Sequence, residues 1–100
     1  MARHYQSRGY RVLAKRWRGG RAEIDLVLEI NGGLVFCEVK KSKSNARAVI
    51  AFGAAQQQRY QNAALAFLAE HDYPLETDLR FDLATVDFMG QIEIAENVIS

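Results

Sequence analysis

Two alternating segments joined by Asn31-Gly32 constrain the fold of this chain more than any other feature. Acidic and aliphatic residues alternate over residues 22–30, and a similar run returns over residues 34–40. A period of two residues is typical of a β-strand, and Asn-Gly between two such runs is a strong short-range signal for a hairpin. The sequence therefore predicts a pair of antiparallel strands here.

The two-residue turn also predicts which side chains of this hairpin share a side. If Ile30 pairs with Gly33, the pairs continue outward until Asp25 lies opposite Glu38, and directly opposed side chains point to the same side. Lys40 follows Glu38 by two residues and shares that side. The other side is predicted to be entirely apolar, with Ile24, Leu26, Leu28, Val35, Cys37 and Val39.

Two carboxylates and an ammonium on one face form a candidate catalytic site. Opposed carboxylates offer the oxygen ligands that a hard divalent cation such as Mg²⁺ prefers. A bound cation polarises a phosphoryl oxygen and acidifies water, and a nearby lysine orients water or stabilises negative charge. The alternative is a solvated sheet face with a Glu–Lys ion pair, although directly opposed like charges destabilise a sheet.

The rest of the chain adds helices and three further strands to this hairpin. The predicted elements are a helix over residues 2–8 closed by Gly9, strands over 10–17, 22–30 and 34–40, a helix over about 47–71, and strands over 79–87 and 91–94. An apolar stripe on the long helix comprises Val49, Phe52, Tyr60, Ala64 and Phe67. We expect one α/β domain over residues 1–100, with a mixed central sheet flanked by helices.

Charge is distributed unevenly along the chain. Residues 1–59 hold 12 of the 13 Lys and Arg residues and 4 of the 12 acids, whereas residues 60–100 hold one Arg and eight acids. Such asymmetry favours a polyanionic partner for the basic half, and nucleic acid is the obvious candidate. The alternatives are that the two halves attract each other or that the basic groups are simply solvated. The predicted phosphate contacts are Arg16, Arg18, Arg21, Lys41, Lys43 and Arg47.

Several other classes of protein are disfavoured. No apolar run approaches the roughly 20 residues of a membrane span, and the N-terminus lacks the apolar region of a secretory signal. Cys37 is the only cysteine, so there is no internal disulfide framework, and we expect it to be a core residue. A cytoplasmic location is the default expectation, with no membrane partner.

The hairpin strands carry a family resemblance. The segments AEIDL at residues 22–26 and VFCEVK at 35–40 resemble the GEIDL and FVEVK motifs of YraN-like proteins. These are short bacterial members of the PD-(D/E)XK nuclease superfamily, related to archaeal Holliday junction resolvases. The resemblance implies a restriction-endonuclease-like αβββαβ core, Asp25 and Glu38 as ligands of Mg²⁺ or Mn²⁺, and Lys40 as the catalytic lysine.

The sequence departs from the family pattern in places. Ala22 replaces a glycine, and Lys41-Ser42 replaces a Thr-Arg pair that follows the motif in the family. By the resemblance, the family's first helix begins upstream with a Glu, so we expect this chain to hold only the end of that helix.

Gln56 is a further candidate for the site. It interrupts the apolar stripe of the long helix, and Gln56-x-x-x-Tyr60 resembles an element of some nucleases in the superfamily, where YraN-like proteins usually have a lysine. The alternative is a structural glutamine, because buried polar side chains are usually hydrogen-bonded.

The leading hypothesis is a Mg²⁺-dependent endonuclease-like enzyme that acts on DNA, including branched DNA. One alternative is a catalytically weak or inactive nucleic-acid-binding module with the same fold. Another is a structural or partner-binding protein whose fold a metal stabilises. A homodimer is expected only by analogy with the resolvases.

Overall fold

A single five-stranded sheet forms the centre of the molecule. The computed structural model describes residues 1–99. Its elements are α1 (Ala2–Gln6), β1 (Arg11–Gly19), β2 (Ala22–Ile30), β3 (Gly33–Lys41), α2 (Asn45–Ala51), α3 (Ala54–Glu70), β4 (Leu79–Val86) and β5 (Ile92–Ala95). The strand order is β1-β2-β3-β4-β5, with β3 and β4 parallel and the other neighbours antiparallel. The predicted mixed α/β architecture is confirmed.

The predicted turn and register of the β2–β3 hairpin are confirmed over its first five pairs. Pairing runs from Ile30–Gly33 to Leu26–Cys37. Asn31 and Gly32 both have positive φ, 51° and 80°. A type I′ turn needs positive φ at both central positions, and its twist matches that of the flanking strands.

The regular alternation of β2 breaks at Asp25. Pairing with β1 passes from Lys15–Leu26 to Trp17–Ile24, with no partner pair at Asp25, where Arg16 of β1 has a φ of 50°. Ile24 is therefore buried with the cluster under α3 and not with Leu26 on the opposite face. The prediction that Ile24 shares the face of Leu26 is wrong, because the irregularity beside Arg16 shifts the phase of the strand.

Both faces of the sheet are covered. The larger core lies under α2 and α3 and includes Ile24, Val27, Leu34, Phe36, Phe52, Tyr60, Ala64, Phe67, Leu68 and Leu83. The smaller core lies under α1 and comprises Tyr5, Leu26, Leu28, Val35, Cys37 and Ala84. Cys37 is fully buried, as predicted. Because both faces of the sheet are covered, burying a charged side chain there is unfavourable for folding. The half-buried charged groups are therefore candidates for a functional role.

The long helix predicted over residues 47–71 is two helices. Ser44 caps α2 by accepting a hydrogen bond from the Arg47 backbone N–H. Phe52, which is buried, ends α2, and Gly53 takes an extended conformation (φ −75°, ψ 169°) as the N-cap of α3. Glycine is a poor interior residue of a helix and a tolerated N-cap, which explains a break at this position.

The helices are short compared with a membrane span. Among the described residues, no helix is both long enough and apolar enough to cross a bilayer.

Candidate active site

Asp25 lies at the bend of β2 and is half-buried. Its Oδ2 accepts a hydrogen bond of 2.7 Å from the backbone N–H of Val39 in β3. Where β2 and β3 stop pairing, the Asp25 carboxylate thus accepts the hydrogen bond that a backbone carbonyl of β2 would otherwise accept. Asp25 and Glu38 do not form the ladder pair that the register predicted, but the Val39 contact holds the Asp25 carboxylate beside the backbone of Glu38.

Glu38 projects from β3 toward the face covered by α3. Its Oε2 accepts a hydrogen bond of 2.7 Å from Nε2 of Gln56 in α3. Burial and the neighbouring negative charge of Asp25 raise the pKa of Glu38 to about 7, whereas Lys40 acts in the opposite direction. The negative charge of Asp25 is therefore close enough to act on the Glu38 carboxylate.

Lys40 completes the group on the same face. It follows Glu38 by two residues in β3 and is half-buried. Its ammonium is close enough to lower the pKa of Glu38 electrostatically. Asp25, Glu38, Lys40 and Gln56 are thus brought together, with α3 supplying the glutamine through its contact with the sheet.

Tyr60 is a further polar group at this site. It lies one helical turn after Gln56, it is 3% exposed, and its ring packs edge-on against Phe52. Burial and the charge of nearby Glu38 raise its pKa, yet its hydroxyl lacks hydrogen-bond geometry to any partner in residues 1–99. Tyr60 was predicted to lie in the apolar stripe of the long helix, and its ring is part of the larger core. The four-residue spacing from Gln56 was the sequence feature that could have indicated that the Tyr60 hydroxyl approaches Glu38.

The acidic pair could hold a cation. Over the part of the chain that the structure describes, there is no group of three or more His, Cys, Asp or Glu side chains positioned for a metal. Two carboxylates nevertheless suffice for Mg²⁺, which usually keeps several waters. A cavity of about 420 Å³ opens beside Asp25 on the α1 side of the sheet, where Met1 and Val39 line it, and Glu38 is not among its described lining residues. Burial and the charge of Asp25 both disfavour the charged form of Glu38, and a bound cation would offset both effects.

Three of the predicted phosphate contacts lie along β1 and its turn. Arg16 is exposed and lines the cavity beside Asp25. Arg18 is exposed and makes a 3.4 Å ion pair with Glu23, which water screens strongly. Arg21 has a φ of 66° in the β1–β2 turn and borders a second cavity with Arg18.

The other three predicted contacts follow the end of β3. Lys41 and Lys43 are exposed and line one cavity of about 590 Å³ with Phe88. Arg47 is exposed on the first turn of α2. Five of the six basic residues therefore border three separate cavities, of which the one lined by Arg16 also contains Asp25, and these cavities share no described lining residue.

A second charged cluster lies under α1. Asp82 is 1% exposed and accepts hydrogen bonds of 2.9 Å from the Tyr5 hydroxyl and from the Arg80 guanidinium. Arg80 also donates to the Tyr10 hydroxyl at 2.7 Å. The Asn97 backbone N–H donates to Asp82 at 3.3 Å. These contacts tie α1 and the C-terminal segment to β4, which is a structural role that sequence analysis did not predict.

Comparison with known proteins identifies relatives. The sequence profile of the uncharacterised protein family UPF0102 matches residues 1–86. A UPF0102 protein of Roseobacter denitrificans is 47% identical over 98 residues, which are 98% of this chain and 76% of that protein. One from Ruegeria pomeroyi is 46% identical over 95% of this chain and 77% of its own length. One from Cereibacter sphaeroides is 44% identical over the whole chain and 86% of its own length.

Proposed function

The chain belongs to the UPF0102 family, and we propose that it is a Mg²⁺- or Mn²⁺-dependent nuclease that hydrolyses phosphodiester bonds in DNA. The observation that carries this proposal is the half-buried group of Asp25, Glu38 and Lys40 on adjoining strands. Burying two neighbouring carboxylates is unfavourable for folding alone. Such an arrangement is therefore expected where it serves chemistry.

Each residue of the group has a distinct task in this proposal. Asp25 and Glu38 would hold the cation, which when bound supplies the polarisation of a phosphoryl oxygen and the acidity of a water. Gln56 donates to Glu38 and positions its carboxylate. Lys40 carries a fixed positive charge beside the acids, so it would stabilise negative charge on the phosphate and orient the attacking water.

The basic half of the chain supports a nucleic acid as the substrate. Arg16 borders the cavity beside Asp25, and Lys41 follows Lys40 directly. Cationic side chains around a hydrolytic site hold the phosphate backbone without reading its sequence. DNA, including branched DNA, is the substrate class that we propose.

A second candidate function is a DNA-binding module without useful catalysis. It is favoured by the small number of acidic ligands, because no group of three or more potential metal ligands is present in residues 1–99. In addition, one oxygen of Asp25 already accepts a hydrogen bond from the Val39 N–H. In that case DNA affinity would persist and metal-dependent cleavage would be absent.

A nuclease assay distinguishes the two. Duplex, single-stranded and four-way-junction DNA are incubated with the protein and Mg²⁺ or Mn²⁺. Cleavage by the wild type that Glu38→Gln abolishes supports the nuclease. The control is Glu29→Gln, which removes another carboxylate of the same hairpin, one that pairs with Arg11 at 2.6 Å. Binding without cleavage under every metal condition would leave the binding module as the function.

A further inference from the structure

The turn between β4 and β5 displays two large apolar side chains to solvent. Phe88 is 89% exposed and Met89 is 71% exposed. Both lie in the five-residue connection 87–91, and neither belongs to either core cluster of the sheet. Two adjacent large apolar side chains at this exposure make the turn a candidate contact surface.

The turn holds these side chains in a defined position. Asp87 Oδ1 accepts hydrogen bonds of 2.9 Å from the backbone N–H groups of Met89 and Gln91. The backbone of Asp87 also donates to Gln91 and accepts from Gly90, both at 3.0 Å, and Gly90 has a φ of 80°. Four hydrogen bonds across five residues fix the direction in which the Phe88 side chain leaves the turn.

Positive charge surrounds the aromatic ring. Phe88 lines the 590 Å³ cavity together with Lys41 and Lys43, and these three residues are called the Phe88 patch below. The one acid in that lining is Asp87, whose carboxylate is engaged by the backbone of the turn. The patch therefore presents an aromatic face and two ammonium groups.

The patch lies at the end of β3 that carries Glu38 and Lys40, in a cavity separate from the one beside Asp25. Lys41 follows Lys40 in β3 and pairs with Val86 in β4, two residues before Phe88. Lys40 and Lys41 are successive residues of β3 and point to opposite faces, so a DNA strand held at Glu38 and Lys40 would reach the patch by passing around the end of the strand. In a continuous duplex every base is stacked on both sides, so an aromatic side chain has no free face to contact.

We propose that the Phe88 patch binds an unpaired nucleotide beside the scissile phosphate, with the base stacked on Phe88 and its phosphates contacted by Lys41 and Lys43. This inference rests on the proposed nuclease function and narrows its substrate to DNA with a single-stranded segment next to the cleavage site. Stacking on an aromatic ring tolerates any base, so the patch confers structure preference without sequence preference.

A binding measurement without cleavage tests the patch. Fluorescence anisotropy is recorded in EDTA with a labelled oligo-dT strand and with a labelled blunt duplex of equal length. Phe88→Ala should weaken binding to the single strand by about tenfold or more, the scale of one stacked base, and change duplex affinity less than twofold. Phe88→Trp keeps an aromatic ring and should bind the single strand about as tightly as the wild type does. Leu75→Ala is the matched control, because Leu75 is 78% exposed on a different loop.

The outcomes separate this inference from the nuclease itself. Equal effects of Phe88→Ala on strand and duplex, or no effect on either, overturn the patch even if the wild type cleaves DNA. A dimer at assay concentration that Phe88→Ala converts to monomer, measured by sedimentation, also overturns it, because a second copy would then be the partner. Selective strand binding by a wild type that cleaves nothing supports the patch and refutes the nuclease.

Discussion

Replacing Glu38 by glutamine should stabilise the protein in the absence of metal, and the gain should depend on pH. Glutamine keeps the shape of the side chain and an oxygen that accepts the hydrogen bond from Gln56. It removes the charge that burial and Asp25 make unfavourable. The substitution therefore isolates the electrostatic penalty of the acidic pair.

The magnitude follows from the pKa of Glu38. Its pKa is about 7 in the folded protein against an ordinary 4.5, so between these values the folded state binds more protons than the unfolded state. Stability then falls as pH rises through this window and stays reduced above it. The full difference between these two pKa values corresponds to a change of roughly 3 kcal/mol in the free energy of unfolding. Because water reaches this half-buried side chain, about 1–2 kcal/mol is a more realistic gain.

Thermal unfolding between pH 4 and pH 8, in EDTA, measures this gain. The melting temperatures of wild type and Glu38→Gln should be similar near pH 4 and diverge by roughly 4–16 °C near pH 8, since about 1 kcal/mol shifts the Tm of a domain of this size by 4–8 °C. Glu29→Gln is the control, because Glu29 faces the Arg11 guanidinium and its loss relieves no repulsion.

Metal provides the second half of this test. Mg²⁺ at neutral pH should raise the Tm of the wild type toward that of the variant, since a ligand of the folded state stabilises it, and should leave Glu38→Gln unchanged. A variant that is less stable than the wild type at pH 8 would refute the reasoning. Glu38 would then be a structural partner of Gln56 and Lys40 rather than part of a repelling acidic pair.

Three further predictions concern the lysine, the basic half and the second charged cluster. Lys40→Ala should lose cleavage and keep most Mg²⁺ binding by calorimetry, because its proposed role is on phosphate and water; retained cleavage would move that role to another group. Arg21→Ala should reduce the slope of log affinity for DNA against log salt by about 1, and an unchanged slope would remove Arg21 from the phosphate contacts. Tyr5→Phe should destabilise the protein by about 1–3 kcal/mol in denaturant unfolding, since buried Asp82 loses a donor. Tyr73→Phe, which removes a 3.4 Å contact, should have little effect, and equal losses would contradict a special role for Tyr5.

The hairpin was predictable because its rules are local. Asn31-Gly32 fixes the turn, the turn fixes the register, and the register places Glu38 and Lys40 on one side of β3. The alternation of side chains along each strand also predicted that the opposite side of the hairpin is apolar. Each of these steps depends on residues within ten positions of one another, so no knowledge of the rest of the fold was needed.

The bend at Asp25 was not predictable from the same rules. Alternation treats β2 as uniform, whereas the departure depends on Arg16, which adopts positive φ in the neighbouring strand. A non-glycine residue rarely takes that conformation, and no sequence signal marked it here. The consequence was specific, because it transferred Ile24 to the other core and turned the Asp25 carboxylate toward the Val39 N–H.

The partners of the site lie far apart in sequence. Glu38 and Gln56 meet because α3, which follows β3 in the chain, packs on the sheet over β1 and β2. The helical spacing from Gln56 to Tyr60 then brings a second polar group to the same place. The six basic residues were predicted from their charge and their position beside the end of the hairpin, which does not reveal that five of them line three different cavities.

Asp82, which is buried, and Asp25, which is half-buried, show how surroundings decide the role of one residue type. Asp82 receives hydrogen bonds from Tyr5, from Arg80 and from the Asn97 backbone, and it is 1% exposed. Its charge is matched by a guanidinium and its oxygens are occupied, so it has no capacity left for a cation. Asp25 is half-buried, has one backbone donor, and faces Glu38, another acid. A carboxylate that is satisfied stabilises a fold, whereas a pair that repels requires an added cation or a proton. That difference, and not the presence of acids as such, is why the nuclease proposal rests on β2 and β3 and assigns Asp82 to structure.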